Sequence, residues 1–329
     1  MNNTALVIGI SGGFGAHVAE ALLNHGWRVR ALLRDPARLP ARLRGRVETV
    51  QGDAGDSQSV EAAAHDVAVL VYGVNVPYPR WEAEALTLLE PSARVAERHG
   101  LRLVFPANVY VLDPDRGPLF DEDAPPRPVS RLGEIRAAME ARLARAVDHG
   151  ARVLMVRAGD FIGRDTPSSW FGMIVRRGRW GYSVRYPGPP EPIHSWAYLP
   201  DLAETVGRLL DEPDTLEALA RFHFAGHRVS AVELVAALGE ATGEPVRLTA
   251  MPWLPLRLAA PVVALFRALL SLRYLWQRRM DLDDTRLRAR LGERVPHTPL
   301  VAVMAAMCAR TTTPLRTAVQ HDTDQPAGV

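Results

Sequence analysis

Gly9, Gly12 and Gly15 recur at three-residue intervals in GISGGFG, after the apolar run ALVIGI and before a helical pattern. Glycine at such a turn lets the backbone close tightly and lets an anion reach the N–H groups of the helix start. With Ser11, Gly13 and Phe14 between them, these residues make a candidate diphosphate-binding turn; a plain glycine-rich β–α connection is the lesser reading. Arg34 ends the second apolar run, about 20 residues past the glycines, where an acid selects NAD(H) and an arginine accommodates the 2′-phosphate of NADP(H). Arg38 follows one helical turn on, and Asp35 reads as the cap of a helix beginning at Pro36. The expected cofactor is therefore NADP(H) in preference to NAD(H). Asp53, with Ala54 beside it in QGDAGD, suits the adenine amino group, while Asp56 suits a helix cap. Gly73 and Asn75 in VYGVN stand at the carboxyl end of the fourth apolar run, where ligands collect in such sheets.

A hydride-transfer site also needs a group that moves a proton. All 39 residues counted as Lys+Arg are Arg, so any mechanism needing a Lys is excluded. Tyr110 offers a phenol, His194 an acid near neutral pH, and water is the third candidate. Asn108 can orient a carbonyl or an alcohol by hydrogen bonding but cannot titrate. Asp160 reads first as a carboxylate fixing a turn, then as a base or substrate anchor. Trp170 and Trp196, with Phe171, Trp180 and Tyr182, either line a substrate pocket or fill the core beneath it. His297 and His321 lack ligand-spaced partners and there is no cysteine cluster, so no metal site is expected.

These side chains need a scaffold, and the first half of the chain supplies its pattern. Apolar runs at 5–10, 27–33, 47–51, 67–73, 101–106 and 151–157 alternate with helical patterns at 17–26, 82–100 and 130–143. Strand and helix in alternation imply βαβ units and a parallel sheet covered on both faces. The predicted fold class is α/β: a Rossmann-type doubly wound parallel sheet over residues 1–165, then a smaller, mostly helical C-terminal substrate lobe over 166–310. Helix 200–212 is expected to pack back on the sheet, Ser230 and Glu233 to form a capping box, and 311–329 to be a disordered tail. His194, with Trp196 and Tyr198, is expected in a loop over the cleft.

Length and composition are ordinary: 329 residues, 47% hydrophobic, 23% charged, net charge +2. Nothing there calls for a nucleic-acid partner. The lone Cys308 fits a reducing, cytoplasmic setting, and no signal peptide is read at the N-terminus. The apolar stretch 258–276 is interrupted by Pro261, Arg267 and Arg273, too broken for an integral membrane segment. With Arg257 it reads as packed helix; a membrane-surface anchor over 256–276 is a weaker alternative.

Taken together these motifs resemble the short-chain dehydrogenase/reductase superfamily, in its extended or atypical branch of NAD(P)-binding epimerase/dehydratase-like proteins. GISGGFG looks like the glycine motif and GDAGD the adenine-contacting turn. FPANVYVL (105–112) is similar to the strand end bearing a Ser or Thr, RAGDFIG (157–163) to R-x-x-N-x-x-G, and HSWAYLPDLA (194–203) to H-x-x-D-x-A. RYLWQ and LGERVPHTPL look like parts of the substrate lobe. The resemblance puts Y-x-x-x-K-x-x-x-E over L-G-E-I-R-A-A-M-E, with Leu132 at the tyrosine, Arg136 at the lysine and Glu140 at the acid. It implies that Arg136 keeps the nicotinamide-ribose contact while the proton must come from elsewhere. Glu140 reads as a helix-surface or packing carboxylate. The resemblance implies an NADP(H)-binding oxidoreductase or epimerase acting on a small carbonyl or alcohol substrate, with homo-oligomerisation open. The alternative is a non-catalytic NADP(H)-binding redox sensor, as proposed for NmrA-like relatives.

Overall fold

The computed structural model describes residues 3–164, 166 and 169–309; the segment read as a tail and His321 lie outside them. In chain order, β1 (Thr4–Ile8), α1 (Gly13–Asn24), β2 (Arg28–Leu33), β3 (Glu48–Gln51), α2 (Ser57–Ala63), β4 (Val69–Tyr72), α3 (Trp81–His99) and β5 (Arg102–Asn108) come first. After a short β6 (Leu119–Phe120) follow α4 (Arg131–Asp148), β7 (Arg152–Ala158) and β8 (Asp160–Ile162). Then come α5 (Trp170–Ile174), β9 (Val175–Gly178), β10 (Gly181–Tyr186), β11 (His194–Tyr198), α6 (Leu199–Leu209), β12 (Leu219–Phe224) and β13 (His227–Val229). The chain continues through α7 (Ala231–Thr242), β14 (Val246–Ala250), α8 (Trp253–Ala259), α9 (Ala264–Ser271), β15 (Asp281–Leu282), α10 (Thr285–Leu291) and α11 (Leu300–Cys308).

Seven parallel strands form the central sheet in the order β12-β7-β5-β4-β1-β2-β3. Alternate residues of β1 serve opposite cores, as a period of two requires. Ala5 and Val7 pack with α1, α6 and α10, while Leu6 and Ile8 pack with α2, α3 and α4. The order reverses between β1 and β4, and the crevice at that reversal is where such sheets bind ligands. Two small sheets, β14-β10-β9 and β13-β11-β8, carry the second half of the chain to the carboxyl end of the large one.

Local chemistry sets the helix boundaries. Ser130 accepts from the Gly133 N–H and starts α4. Ser230 and Glu233 form the anticipated capping box on α7. Gly100, at φ +63, closes α3 in the left-handed conformation that glycine tolerates.

Three placements differ from the sequence reading. His194 lies in strand β11, not in a loop: residues 194–196 pair with β13 and residues 196–198 with β8. The segment is buried along most of its length, so the polar–apolar alternation that announces a strand is missing. β12 falls within the span assigned to the C-terminal lobe but joins the central sheet beside β7. The stretch 258–276 divides into the end of α8, a turn, α9 and a further 3-10 turn.

Candidate active site

The glycine turn sits at the strand-order reversal because two chain segments meet there without side chains. A Cβ on Gly9, at φ +84, would lie 2.4 Å from the Gly73 carbonyl carbon. One on Gly15 would lie 2.5 Å from the Gly9 oxygen. Gly12 differs, because a Cβ there would meet only the Gly9 oxygen at 3.4 Å and otherwise open space. Gly12 is also the N-cap of α1 and offers no side-chain acceptor to the first-turn N–H groups. This bare, uncapped helix start beside an open flank fits a diphosphate. Ser11 is exposed on the same turn, whereas Gly13 is covered by Thr166 and Leu199, and Phe14 is buried against Phe161.

Along the crevice, Arg34 leaves the end of β2 with its side chain 72% exposed and Nε 4.0 Å from an Asp53 carboxylate oxygen. Asp35 caps the 3-10 turn at Pro36 through the Ala37 N–H, and Asp56 caps α2. Asp53 accepts from the Gly55 N–H through one oxygen and keeps the other toward Arg34. Ala54 is half-buried beside it. On the other side of β1, Asn75 and Arg136 line a small recess, open to solvent, together with Tyr72, Val76, Trp81 and Met139.

Arg136 enters this recess from α4. Its guanidinium lies over Phe105 and Trp81, 4.5 and 5.8 Å from the ring centroids, and donates to the Pro106 carbonyl. Burial pulls its pKa down to about 10, against the pull of Glu140. Its Nε is buried without an acceptor among the described residues, a donor that a cofactor hydroxyl would satisfy. Glu140 is buried, not on the helix surface, and makes a bidentate pair with Arg157 at 2.7 and 3.1 Å. Arg157 also donates to the Asn108 carbonyl, tying α4 to the end of β5.

Beyond β5 the proton-handling candidates converge. Asn108 caps the following 3-10 turn through the Tyr110 N–H. Gly133 lets α4 approach so closely that a Cβ there would lie 2.3 Å from the Tyr110 backbone carbonyl oxygen. The Tyr110 hydroxyl is 2.8 Å from that of Tyr78 and donates to Asp160 over 3.5 Å. The second Asp160 oxygen is 2.8 Å from His194 Nε2. His194 in turn stacks on Trp276 at 3.8 Å. Tyr78, Tyr110, Asp160 and His194 thus form one hydrogen-bonded chain with aromatic walls.

Burial raises the Tyr110 pKa well above that of a free phenol, and Tyr78 and the Asp160 carboxylate push the same way. Tyr78 is raised mainly by burial as well. Both phenols are therefore held protonated near neutral pH, as donors and not as bases. Trp170 and Trp196, read as possible substrate contacts, are 1% and 0% exposed and back this chain from inside. The Trp196 and Trp276 indole N–H groups meet no acceptor among the described residues. Trp170 reaches no full hydrogen bond but stands close enough to the two phenols to ease their ionisation slightly.

Sequence reasoning missed Tyr78, Trp81 and Trp276. PYPRW, one turn after Asn75, was the available signal for the first two, since a Pro-rich turn at a strand's carboxyl end puts its aromatics over the crevice.

Residues 9–147 match a family model described as NAD(P)H-binding. No curated protein matches the sequence. Solved structures do match over most of the chain. The UDP-glucose 4-epimerase of Thermus thermophilus, in complex with NAD, is 19% identical with a TM-score of 0.68, covering 92% of this chain and 97% of its own. A double mutant of DesIV, the dTDP-glucose 4,6-dehydratase of Streptomyces venezuelae, with NAD and DAU bound, is 18% identical with a TM-score of 0.69 (92% and 95%). The Bordetella bronchiseptica enzyme WbmH in complex with NAD+ is 18% identical with a TM-score of 0.66 (92% and 96%). Residues 9–147 thus resemble an NAD(P)H-binding family, and the chain as a whole has the fold of these epimerase and dehydratase structures.

Proposed function

We propose that the protein is an NADP(H)-dependent oxidoreductase or epimerase acting on a small carbonyl or alcohol substrate, with Tyr110 as proton donor in place of the usual Tyr–Lys pair. The observation that carries this reading is the Tyr110–Asp160–His194 chain, built from three residues far apart in sequence. A bound nicotinamide supplies the hydride. Arg136 holds the adjoining ribose through its unpartnered Nε, and Gly9, Ser11, Gly12, Gly13, Phe14 and Gly15 present the turn to the diphosphate. Asp53 and Ala54 flank the adenine, with Gly73 and Asn75 under the middle of the cofactor. Arg34 takes the 2′-phosphate, and its exposed guanidinium supports NADP(H) over NAD(H). Burial keeps the Tyr110 phenol protonated, the state from which it can donate to a developing alkoxide. A proton from solvent then replaces the one lost to product, relayed to Tyr110 through His194 and Asp160, and Asn108 orients the turn that carries Tyr110.

A second reading is a redox sensor that binds NADP(H) and turns nothing over. The burial of Tyr110, Asp160 and His194 favours it. Titration with NADPH and NADH, followed by a carbonyl panel scored by NADPH oxidation, separates the two. Turnover lost in Tyr110→Phe supports the enzyme; tight NADPH binding with no turnover on any substrate supports the sensor. Arg34→Ala is expected to weaken NADPH by about tenfold and spare NADH, since it removes one charge-assisted contact. Equal weakening of both would remove the basis for the NADP(H) assignment.

A further inference from the structure

Leu254 and Leu258 lie one turn apart on α8 and are 68% and 74% exposed. Val262, in the turn that follows, is 86% exposed, and Leu265 opens the outer side of α9 at 39%. Single exposed leucines are common, but four large apolar side chains exposed within twelve residues, 254–265, are not. The turn is tight, since the Val262 and Val263 N–H groups both donate to the Ala259 carbonyl. The hairpin borders the candidate active site, with α9 packed on the turn that carries Tyr78 and against α4.

The segment that carries these side chains has charge of one sign. Residues 245–280 contain Arg247, Arg257, Arg267, Arg273, Arg278 and Arg279 and neither Asp nor Glu. Asp115 and Asp281 pair with Arg278 and Arg279. Among the described residues no ion pair involves the other four. Arg267 folds back onto the Ala260 and Pro261 carbonyls, and Arg273 lies 5.3 Å over the Trp253 ring.

We infer that the α8–α9 hairpin docks in the plane of an anionic lipid surface, with Leu254, Leu258, Val262 and Leu265 at the acyl boundary and the unpaired arginines among the phosphates. Apolar side chains fringed by arginine match that boundary, because the long side chains keep their charge at headgroup depth. A second copy of the chain fits worse. A two-fold contact here would set arginines against arginines with no acid in the segment to pair them. No described helix is long and apolar enough to cross a membrane, so the attachment is one-sided. The inference stands independently of the proposed reaction.

Flotation of the full chain with vesicles tests it. The protein is expected to float with phosphatidylglycerol–phosphatidylcholine vesicles and not with phosphatidylcholine alone. The bound fraction should fall in about 1 M salt, where the screening length is about 3 Å. Leu258→Asp with Val262→Asp replaces exposed residues, so the thermal melt and NADPH affinity should hold while anionic-vesicle binding drops about tenfold or more. Wild-type protein that stays unbound, binds neutral vesicles equally, or floats undiminished in the double variant would overturn the inference. So would a wild-type dimer in sedimentation that the same variant converts to monomer, which would assign the face to a second copy.

Discussion

His194 Nε2 lies 2.8 Å from an Asp160 carboxylate oxygen, and its ring is parallel within 9° to that of Trp276. Both residues are buried, so neither can exchange its partner for water. Removing one member of a buried pair leaves the other desolvated and uncompensated, at about 3–5 kcal/mol. His194→Ala is expected to cost about that much in urea unfolding, and Asp160→Asn less, because the amide preserves shape and some hydrogen bonding. A double-mutant cycle measures the link directly. Additive effects of the two substitutions would show that they are not coupled, and the proton-return route would lose its middle step.

How much of this site could be read beforehand depended on which elements carried it. The sheet was legible because buried parallel strands write continuous apolar runs; the six runs read from sequence coincide with β1 to β5 and β7 within a few residues at their ends. Gly9, Gly12, Gly15 and Arg34 were legible because a strand before and a helix after fix their place. Tyr110, Asp160 and His194 could each be suspected singly. Their union was not legible, because it depends on β8 lying parallel to β11 with Asp160 opposite Trp196. Gly159 permits that approach, since a Cβ there would lie 2.1 Å from the Ser195 oxygen. No period in the sequence encodes such a long-range crossing. The sequence leaves Glu140 open between helix surface and packing for a related reason: only the arrival of Arg157 from a strand decides for packing.

Glu140 stands between two buried arginines, so its removal should be felt twice. It pairs directly with Arg157 and raises the Arg136 pKa against burial. Glu140→Ala leaves two guanidinium groups in one desolvated region, with an expected loss of about 3–5 kcal/mol in urea unfolding. Glu140→Gln keeps the packing and should lose less. If Arg136 holds the ribose, NADPH affinity falls in both variants, and more than the turn at Gly12 alone would explain. Unchanged affinity in a folded Glu140→Gln protein would separate Arg136 from the cofactor.

Gly9 and Gly12 should respond oppositely to the same methyl group. At Gly9 the positive φ disfavours any L side chain, and the Cβ would overlap the Gly73 backbone. Gly9→Ala is expected to destabilise by about 2 kcal/mol or more, combining left-handed strain with overpacking. At Gly12 the backbone is extended and the added methyl has room. Gly12→Ala should melt with wild type yet bind NADPH about tenfold more weakly, because the methyl stands where the diphosphate must approach. Full NADPH affinity in that variant would mean that the phosphates lie elsewhere.

His223 ties acid sensitivity to the far edge of the sheet. It sits in β12, 2% exposed, with Nδ1 3.1 Å from the Phe120 carbonyl, and its backbone N–H donates to Glu122. Burial drives its pKa down to about 3; Arg157 and Arg286 push the same way, while the Phe120 contact and Asp283 oppose them. The unfolded chain keeps an ordinary imidazole near 6.5, so below that pH it binds a proton the folded protein refuses. The neutral ring's contribution is therefore complete above about pH 6.5 and is lost progressively toward pH 3. At about pH 4.5 the loss is on the order of 2.5 kcal/mol. Burial raises the neighbouring Glu122, a contribution of opposite sign that favours the fold in acid. His223→Gln cannot take up the proton, so its urea midpoint should fall less steeply than wild type between pH 6.5 and 4.5. Parallel slopes for the two proteins would mean that acid enters the fold through some other group.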